Sequence, residues 1–187
     1  MRHIGTRPIE TERLTLRRAT VDDAQDAYDR WTSDPRVSRF MRWTPHKDVA
    51  ETRELLQKWA AEYEQPDRYH WFIARKEDDR PIGSIAIILT LPGDELAELG
   101  YCLGHAYWGQ GYAAEAARAV LRYGLLDVGI NRIEAYHALA NPASGAVMRK
   151  AGMIREGMAR QKYKSVAGFE DCGLYAIIRD DLLKGDK

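Results

Sequence analysis

Apolar and polar residues alternate in several short segments with the two-residue period of strands that bury one face. Residues 13–17 alternate in this way and predict a strand. The apolar runs 69–75, 81–89 and 96–103 are separated only by short polar or glycine-containing connections, which leave no room for a helix. We therefore expect these three runs to pair as antiparallel strands.

A helical period occurs twice in the first third of the chain. Thr20 and Asp23 form a capping-box pattern that predicts a helix over 20–31. Apolar residues then recur at helical spacing over 49–63, which predicts a second helix. The first third is therefore expected to be strand, helix, helix.

In the second half of the chain, small residues form one stripe at helical spacing, as in a helix that packs very close to a sheet: Ala113, Ala117, Val120 and Gly124. A strand over 132–138 follows, and its partner across that helix must run roughly parallel to it. A helix over 141–152 and a hairpin with strands over 153–164 and 171–178 complete the pattern. We expect a single domain over residues 1–187.

The bulk composition narrows the function classes. Lys plus Arg (28) balances Asp plus Glu (28), so no net field attracts nucleic acid or an anionic membrane. The longest apolar run, 82–91, is about half of what a membrane-spanning helix needs, and no secretory signal is visible at the N-terminus, so we expect a cytoplasmic protein. Cys102 and Cys172 have no partner at a metal-ligand spacing, which predicts buried free thiols and no metal.

The glycine-containing stretch 107–116 lies between a predicted strand and the small-residue helix. A helix that begins directly after a glycine turn presents unpaired backbone N–H groups and a positive dipole end, and both favour phosphate binding. The stretch contains no lysine, which argues against a P-loop. It also fits Gly-x-Gly-x-x-Ala with Glu134 downstream, but the consecutive strands before it argue against a dinucleotide-binding fold. A glycine turn that only allows close packing of the helix is the structural alternative.

Three motifs in order span nearly the whole chain: Thr11-Glu12-Arg13-Leu14; Glu98-Leu99-Gly100-Tyr101 leading to Trp108-Gly109-Gln110-Gly111-Tyr112-Ala113; and Asn141-Pro142-Ala143-Ser144 leading to Lys150-Ala151-Gly152-Met153. With them the sequence resembles the GNAT acetyltransferases, most of all their ribosomal-protein N-terminal acetyltransferase (RimJ/RimL-like) branch. The resemblance implies an α/β (α+β) GNAT fold. Its mixed central sheet has about seven strands, mostly antiparallel with one parallel splayed pair, and about four flanking helices. It also implies acetyl-coenzyme A as co-substrate, an amine acceptor and a homodimer.

The resemblance assigns the loop to the pyrophosphate of coenzyme A. The backbone that it implicates is that of Gly109, Gln110, Gly111, Tyr112 and Ala113. The family usually has Arg or Gln where this chain has Trp108. This difference affects a side-chain contact with the coenzyme more than the binding of its pyrophosphate by backbone N–H groups.

Further contacts to the acetyl donor follow from the same resemblance. The N–H of Leu103 is expected to stabilise the oxyanion, and the side chain of Asn141 to contact the pantetheine arm. Asn141 before a proline is also a good helix N-cap, and it can serve both purposes.

The same resemblance suggests two catalytic residues. Glu98 is the candidate base, because it lies on the strand entering the loop at about the position of the glutamate that many family members use, and burial would raise its pKa. Alternatively it pairs a neighbouring strand or positions the acceptor's ammonium. Many family members have a general-acid tyrosine seven residues after the asparagine, but this chain has Met148 there. Ser144 is the substitute, as a coenzyme contact or acid, unless its hydroxyl only satisfies the first turn of its own helix.

Acceptor specificity in this family comes from the early helices and the closing hairpin, which directs attention to Trp31, Phe40, Trp43 and Trp71. The α-amine of a protein or peptide is the leading acceptor. Small amines such as amino sugars, polyamines and amino acids remain the alternative. A non-catalytic acyl-coenzyme A sensor is the alternative outside the enzymes.

Overall fold

The structure, a computed structural model, describes residues 1–185 and contains one eight-stranded sheet. The strands in chain order are β1 (Ile9–Glu10), β2 (Leu14–Arg17), β3 (Tyr69–Arg75), β4 (Pro81–Leu91), β5 (Leu96–Leu103), β6 (Arg132–Ala138), β7 (Ile154–Ser165) and β8 (Gly168–Ile178). Their order across the sheet is β1-β2-β3-β4-β5-β6-β8-β7. All neighbours are antiparallel except β5 and β6, which are parallel.

The helices flank this sheet. They are α1 (Ala24–Ala27), α2 (Pro35–Ser38), α3 (Val49–Glu62), α4 (Tyr112–Arg122), α5 (Pro142–Lys150) and α6 (Arg179–Gly185). Short 3₁₀ turns occupy Val21–Asp23, Pro92–Asp94 and His105–Tyr107, and π-helical turns occupy Tyr28–Thr32 and Tyr123–Val128. Within 1–185, every helix falls short of the length and apolar content that a membrane-spanning segment requires.

The parallel pair is short. Leu96–Glu98 of β5 pairs with Arg132–Glu134 of β6, and the ladder stops there. Each strand then continues only with its other neighbour, β5 with β4 up to Leu103 and β6 with β8 up to Ala138. A gap therefore opens between the carboxyl-terminal halves of β5 and β6, which confirms the expected splayed parallel pair.

The predicted strands 69–75, 96–103 and 132–138 coincide with β3, β5 and β6. The expected count of about seven strands is one too low, because the two-residue β1 adds a short antiparallel pairing to the edge strand β2. Such a short strand has no hydrophobic period of its own that a sequence pattern could reveal.

The predicted helix over 20–31 is present but is not one regular α-helix. It starts with the capping box between Thr20 and Asp23, continues as α1 and ends in a π-helical turn. That turn is closed by Ser33, whose N–H and hydroxyl both donate to the carbonyl oxygen of Tyr28. The expected count of about four helices is too low, because the structure has six within 1–185, including the short α2 and α6. Asp34 caps α2 by accepting from the N–H of Arg36.

The helix α4 packs directly on the sheet, as its stripe of small residues predicts. Gly124, in the turn after α4, has no room for a side chain: a Cβ there would lie 2.6 Å from Ile87 Cδ1 and 2.8 Å from Ile133 Cδ1. A second apolar cluster under α1 and α3 includes Trp31, Leu56 and Phe72. The two sheet faces are thus covered by different helices.

Candidate active site

The gap between β5 and β6 has backbone donors on its β5 side. Gly104 N–H donates to Ile82 O on β4 at 2.8 Å. Because N–H groups alternate in direction along a strand, the N–H of Leu103 points the opposite way, toward the gap. This is the orientation that the predicted oxyanion role of Leu103 requires. The Leu103 carbonyl accepts a 2.7 Å hydrogen bond from the indole of Trp108, so this tryptophan is tied to the same strand end.

The glycine loop ends in an exposed helix N-terminus beside the gap. Gly109 and Gly111 have φ angles of 76° and 84°, in the left-handed region that favours glycine. The first intrahelical hydrogen bond of α4 runs from Glu115 N to Gly111 O at 3.0 Å. The N–H groups of residues 112–114 precede that bond and point out of the helix end, where an anion would meet them.

An ion pair supports this loop from behind. The Arg13 guanidinium donates to Glu115 Oε2 at 2.7 Å and to the carbonyl oxygen of Gln110 at 3.0 Å. The N–H of Arg13 and the hydroxyl of Thr11 both donate to Glu115 Oε1, at 2.8 and 2.7 Å. Burial opposes ionisation of Glu115, but these donors outweigh it and hold its pKa below the usual range. The Thr11–Leu14 motif thus anchors the loop, a role that the sequence reasoning did not assign.

A diphosphate fits this arrangement. The donors are backbone N–H groups and the helix dipole is positive at this end. The half-exposed Arg13 supports the loop from behind, and its charge is shared with Glu115. The φ of 84° at Gly111 is a conformation that a residue with a side chain rarely adopts, so glycine allows the backbone turn that exposes these N–H groups.

The first turn of α5, which follows β6 in the chain, faces β5. Asn141 is the N-cap of α5, and its side chain accepts from Ser144 N at 3.4 Å, while Pro142 occupies the first helical position. The Ser144 hydroxyl lies 2.8 Å from the hydroxyl of Tyr101, which also donates to the Ser144 carbonyl at 2.9 Å. Ser144 therefore contacts Tyr101, which lies in the part of β5 that is not paired with β6.

The hydroxyl group of Tyr101 is part of this candidate site, although the sequence motifs did not predict a role for it. Burial raises the pKa of Tyr101 well above its usual range, against the opposing hydrogen bond with Ser144, so its hydroxyl stays protonated. Met148, at the position where many relatives have tyrosine, is only 2% exposed and belongs to the apolar core. The Glu98–Tyr101 motif could have indicated a role for Tyr101, because this tyrosine follows the candidate base by three residues.

His137 supports the turn before α5. Its Nδ1 lies 2.8 Å from the carbonyl oxygen of Ala138 and 3.1 Å from that of Asn141. Its ring is pressed between Gly145 and Gly173, where an added Cβ would lie 2.5 and 2.8 Å from Nε2. These contacts fix the backbone that presents Ser144.

Glu98 lies on the opposite face of β5 from Tyr101. Ala97, Leu99 and Leu103 pack in the main core, and the alternation of side chains along a strand places Glu98 on the other face. Burial raises the pKa of Glu98; a hydrogen bond with Tyr136 and the fields of Lys162 and Arg42 oppose the shift. The candidate base and the candidate thiolate partner therefore flank the gap from two sides.

The four aromatic residues predicted for the acceptor site lie in two different places. Trp31 and Trp71 are 2% and 0% exposed; Trp31 packs edge-on against Phe72, and the Trp71 indole donates to Arg7 O at 2.7 Å. Neither reaches a surface that an acceptor could contact. Phe40 and Trp43 are half-buried in the segment after α2, which contacts the β7–β8 hairpin through Tyr163, whose hydroxyl donates to Phe40 O.

Cys102 and Cys172 are both free, Cys172 buried and Cys102 half-buried next to Ser84. In the part of the chain that the structure describes, no group of three or more His, Cys, Asp or Glu residues is arranged to hold a metal ion.

Comparisons with known proteins agree with this arrangement. A family model described as an acetyltransferase (GNAT) domain matches residues 13–154. The uncharacterized N-acetyltransferase p20 of Bacillus licheniformis is 31% identical over 169 residues, 90% of this chain and 94% of that protein. The ribosomal-protein-serine acetyltransferase of Escherichia coli is 31% identical over 109 residues, 58% of this chain and 60% of that protein. A solved GNAT-family acetyltransferase from Bacillus anthracis superposes with a TM-score of 0.81 at 26% identity, covering 93% of this chain and 99% of that one.

Proposed function

The chain belongs to the GNAT acetyltransferase family, and from that premise we propose that it acetylates the α-amine of a protein or peptide N-terminus. The family places it among acetyl-coenzyme A-dependent N-acetyltransferases. The observation that supports the reaction here is the separation of β5 from β6 between the glycine loop and Glu98. The choice of a protein acceptor is supported by the similarity to a ribosomal-protein-serine acetyltransferase.

Acetyl-coenzyme A supplies an acyl group already activated as a thioester. The N–H groups at the start of α4 hold its diphosphate. The N–H of Leu103 donates to the carbonyl oxygen as negative charge develops there, which lowers the barrier to attack. The side chain of Asn141 is placed beside the same opening.

Glu98 accepts the proton that the acceptor amine loses, directly or through one water. A raised pKa suits this role, since a carboxylate that holds its proton more strongly is a better base near neutral pH. The new bond joins the amine nitrogen to the acetyl carbon, and the bond from that carbon to sulfur breaks.

Ser144 meets the departing sulfur. Its hydroxyl donates a hydrogen bond to the thiolate, while Tyr101 keeps the serine in position. Because Met148 removes the usual tyrosine, this pair of hydroxyls is the available donor at the gap.

The test is thiol release from acetyl-coenzyme A across N-terminal peptides, amino sugars, polyamines and free amino acids, with mass spectrometry of each product. We expect acetylation at the peptide α-amine, and none when that amine is formylated in advance. Acetylation of a lysine side chain alone, or of a small amine alone, would contradict the proposed acceptor.

A non-catalytic acyl-coenzyme A sensor is the second candidate, because Met148 occupies the position of the usual general acid. It predicts tight coenzyme binding by calorimetry without turnover of any amine in the same panel. Turnover that Glu98→Gln abolishes would rule the sensor out.

A further inference from the structure

Two cations lie next to Glu98 on the face of the sheet away from α4. We define the Glu98 cation pair as Arg42 and Lys162. Arg42 donates to the hydroxyl of Tyr136 at 3.2 Å and its guanidinium lies 5.1 Å from the ring centre of Tyr163. Lys162 Nζ lies 4.8 Å from the ring centre of Tyr136. The cation pair is thus held around the tyrosine that hydrogen-bonds Glu98.

The ring contacts restrict where these cations can go. Tyr136 and Tyr163 pack 5.3 Å apart, and the Tyr163 hydroxyl donates to Phe40 O at 2.8 Å, so the two rings form a fixed support. A cation over an aromatic face is attracted by about 0.5–1 kcal/mol at an exposed site. Arg42 and Lys162 are both exposed, so their charged groups stay accessible from solvent.

Charges of both signs surround Glu98 and the cation pair. Glu134 also acts on Glu98, with the sign opposite to that of the cation pair. Glu134 accepts from Arg132 at 2.8 Å, and Arg132 also pairs with Glu156 at 2.5 Å. The charge of Glu134 is therefore shared with a neighbouring ion-pair network. Glu170 and Asp171 act on Cys172 together with Arg42 and Lys162, and they accept from Ser165 Oγ at 2.7 Å and from Gln161 N at 2.8 Å. Arg42 and Lys162 themselves contact tyrosines.

Resting on the proposed function, we propose that the acceptor has a carboxylate close to its reacting amine, and that Arg42 and Lys162 select it. The amine meets Glu98 while the carboxylate lies between the two cations, where the arginine fork can bind it with two hydrogen bonds. An extended peptide advances about 3.3–3.6 Å per residue, so an acidic side chain on one of its first two residues stays within about two residue lengths of the reacting amine. A free α-carboxylate of an amino acid has the same chemistry.

Polyamines fit this surface poorly. A second ammonium near the reacting amine would approach Arg42 and Lys162, and like charges at an interface are strongly unfavourable. The specificity thus follows from two side chains that do not touch the reacting atoms.

The experiment compares kcat/KM for peptides that differ only in Asp, Asn or Lys at the second position. We expect the Asp peptide to exceed the Asn peptide by roughly tenfold and the Lys peptide by more. Arg42→Glu and Lys162→Glu should each reduce the preference for Asp, and the double variant should prefer Lys. Lys58→Glu, an equal charge change on the exposed side of α3, should keep the wild-type order.

Free aspartate, its α-amide and spermidine separate the sources of the carboxylate. If the α-amide of aspartate is not acetylated, the α-carboxylate is the group that binds Arg42 and Lys162. If the amide reacts as well as aspartate and the Asp peptide is still favoured, the side-chain carboxylate is the group that binds them. Equal kcat/KM for Asp and Asn peptides in the wild type, or an unchanged order in the double variant, would overturn the inference while leaving the proposed function intact. Failure to acetylate any peptide would overturn the proposed function, and a marked preference for spermidine would overturn both.

Discussion

The hydroxyl of Tyr101 lies 2.8 Å from Ser144 Oγ and 2.9 Å from the carbonyl oxygen of the same serine. A carbonyl only accepts hydrogen bonds, so the tyrosine proton occupies that contact and the serine proton is the one that can turn toward a ligand. When Ser144 donates to a thiolate, Tyr101 can turn its own proton to Ser144 Oγ. The tyrosine is therefore placed to act through the serine.

Tyr101→Phe and Ser144→Ala test this relationship. We expect each to lower kcat by roughly tenfold, with little change in the affinity for coenzyme A. On the proposed roles the tyrosine acts through the serine, so the double variant is expected to be no slower than Ser144→Ala alone. Steady-state kinetics at saturating substrates gives kcat for the wild type, the two single variants and the double variant. A loss in the double variant equal to the product of the two single losses would show that the two residues have independent roles.

Glu98→Gln should lower kcat by about a hundredfold, since a general base typically contributes that much or more. The carboxylate must be ionised to accept a proton, so kcat falls as pH drops through its pKa, which burial raises. The glutamine variant should lack this acid limb in a pH profile at saturating acceptor. Glu134→Gln removes another carboxylate on the same face and should keep the acid limb of the pH profile. If this variant lost the acid limb, Glu134 and not Glu98 would be the base.

Glu115→Gln tests the support of the glycine loop. The folded-state pKa of Glu115 is lowered, so its stabilisation is complete above its unfolded pKa of about 4.3 and is lost as pH falls through the lower folded value. We expect the variant to lose about 1–2 kcal/mol of unfolding free energy at pH 7 and almost none near pH 2. Urea unfolding at both values measures this, and an equal loss at both would mean that charge is not the cause.

The same variant should bind coenzyme A more weakly, because Arg13 loses the partner that directs it at Gln110 O. Calorimetry at pH 7 measures the change. Unchanged affinity would separate the ion pair from the loop's function.

Gly111→Asp should abolish binding of coenzyme A. Aspartate at a φ of 84° is strained, and its carboxylate would occupy the place and repel the charge of a diphosphate. Gly93→Asp is the matched control, because a Cβ there meets nothing within 4 Å and the turn lies at the other end of β5. Calorimetry that found normal affinity in Gly111→Asp would refute the assignment of the loop.

The sequence pattern predicts best where burial alone decides the structure. β3, β5 and β6 agree with the predicted bounds because their apolar residues recur on faces that the helices cover. The start of α2 depends instead on one local contact, the Asp34 side chain with Arg36 N, in a helix too short to show a period.

The candidate site shows the same division. The glycine loop is a local feature, so its residues could be identified from the sequence, whereas the Arg13–Glu115 pair joins residues 102 positions apart. An aromatic side chain does not indicate whether it faces solvent; Trp71 lies on a strand covered on both faces and is part of the core. The acceptor, the site roles and the homodimer stay predictions.

The short ladder between β5 and β6 has a thermodynamic consequence. Three residue pairs join the first five strands to the last three, so the sheet has fewer cross-strand bonds here than at its other long strands. A substrate bound between these strands, as proposed, would contact both parts at once and would bind only the folded arrangement. By mass action, a ligand at a hundred times its Kd adds about 2.7 kcal/mol to the unfolding free energy. Heat resistance should therefore rise with coenzyme A concentration, and the enzyme is most vulnerable to unfolding between turnovers.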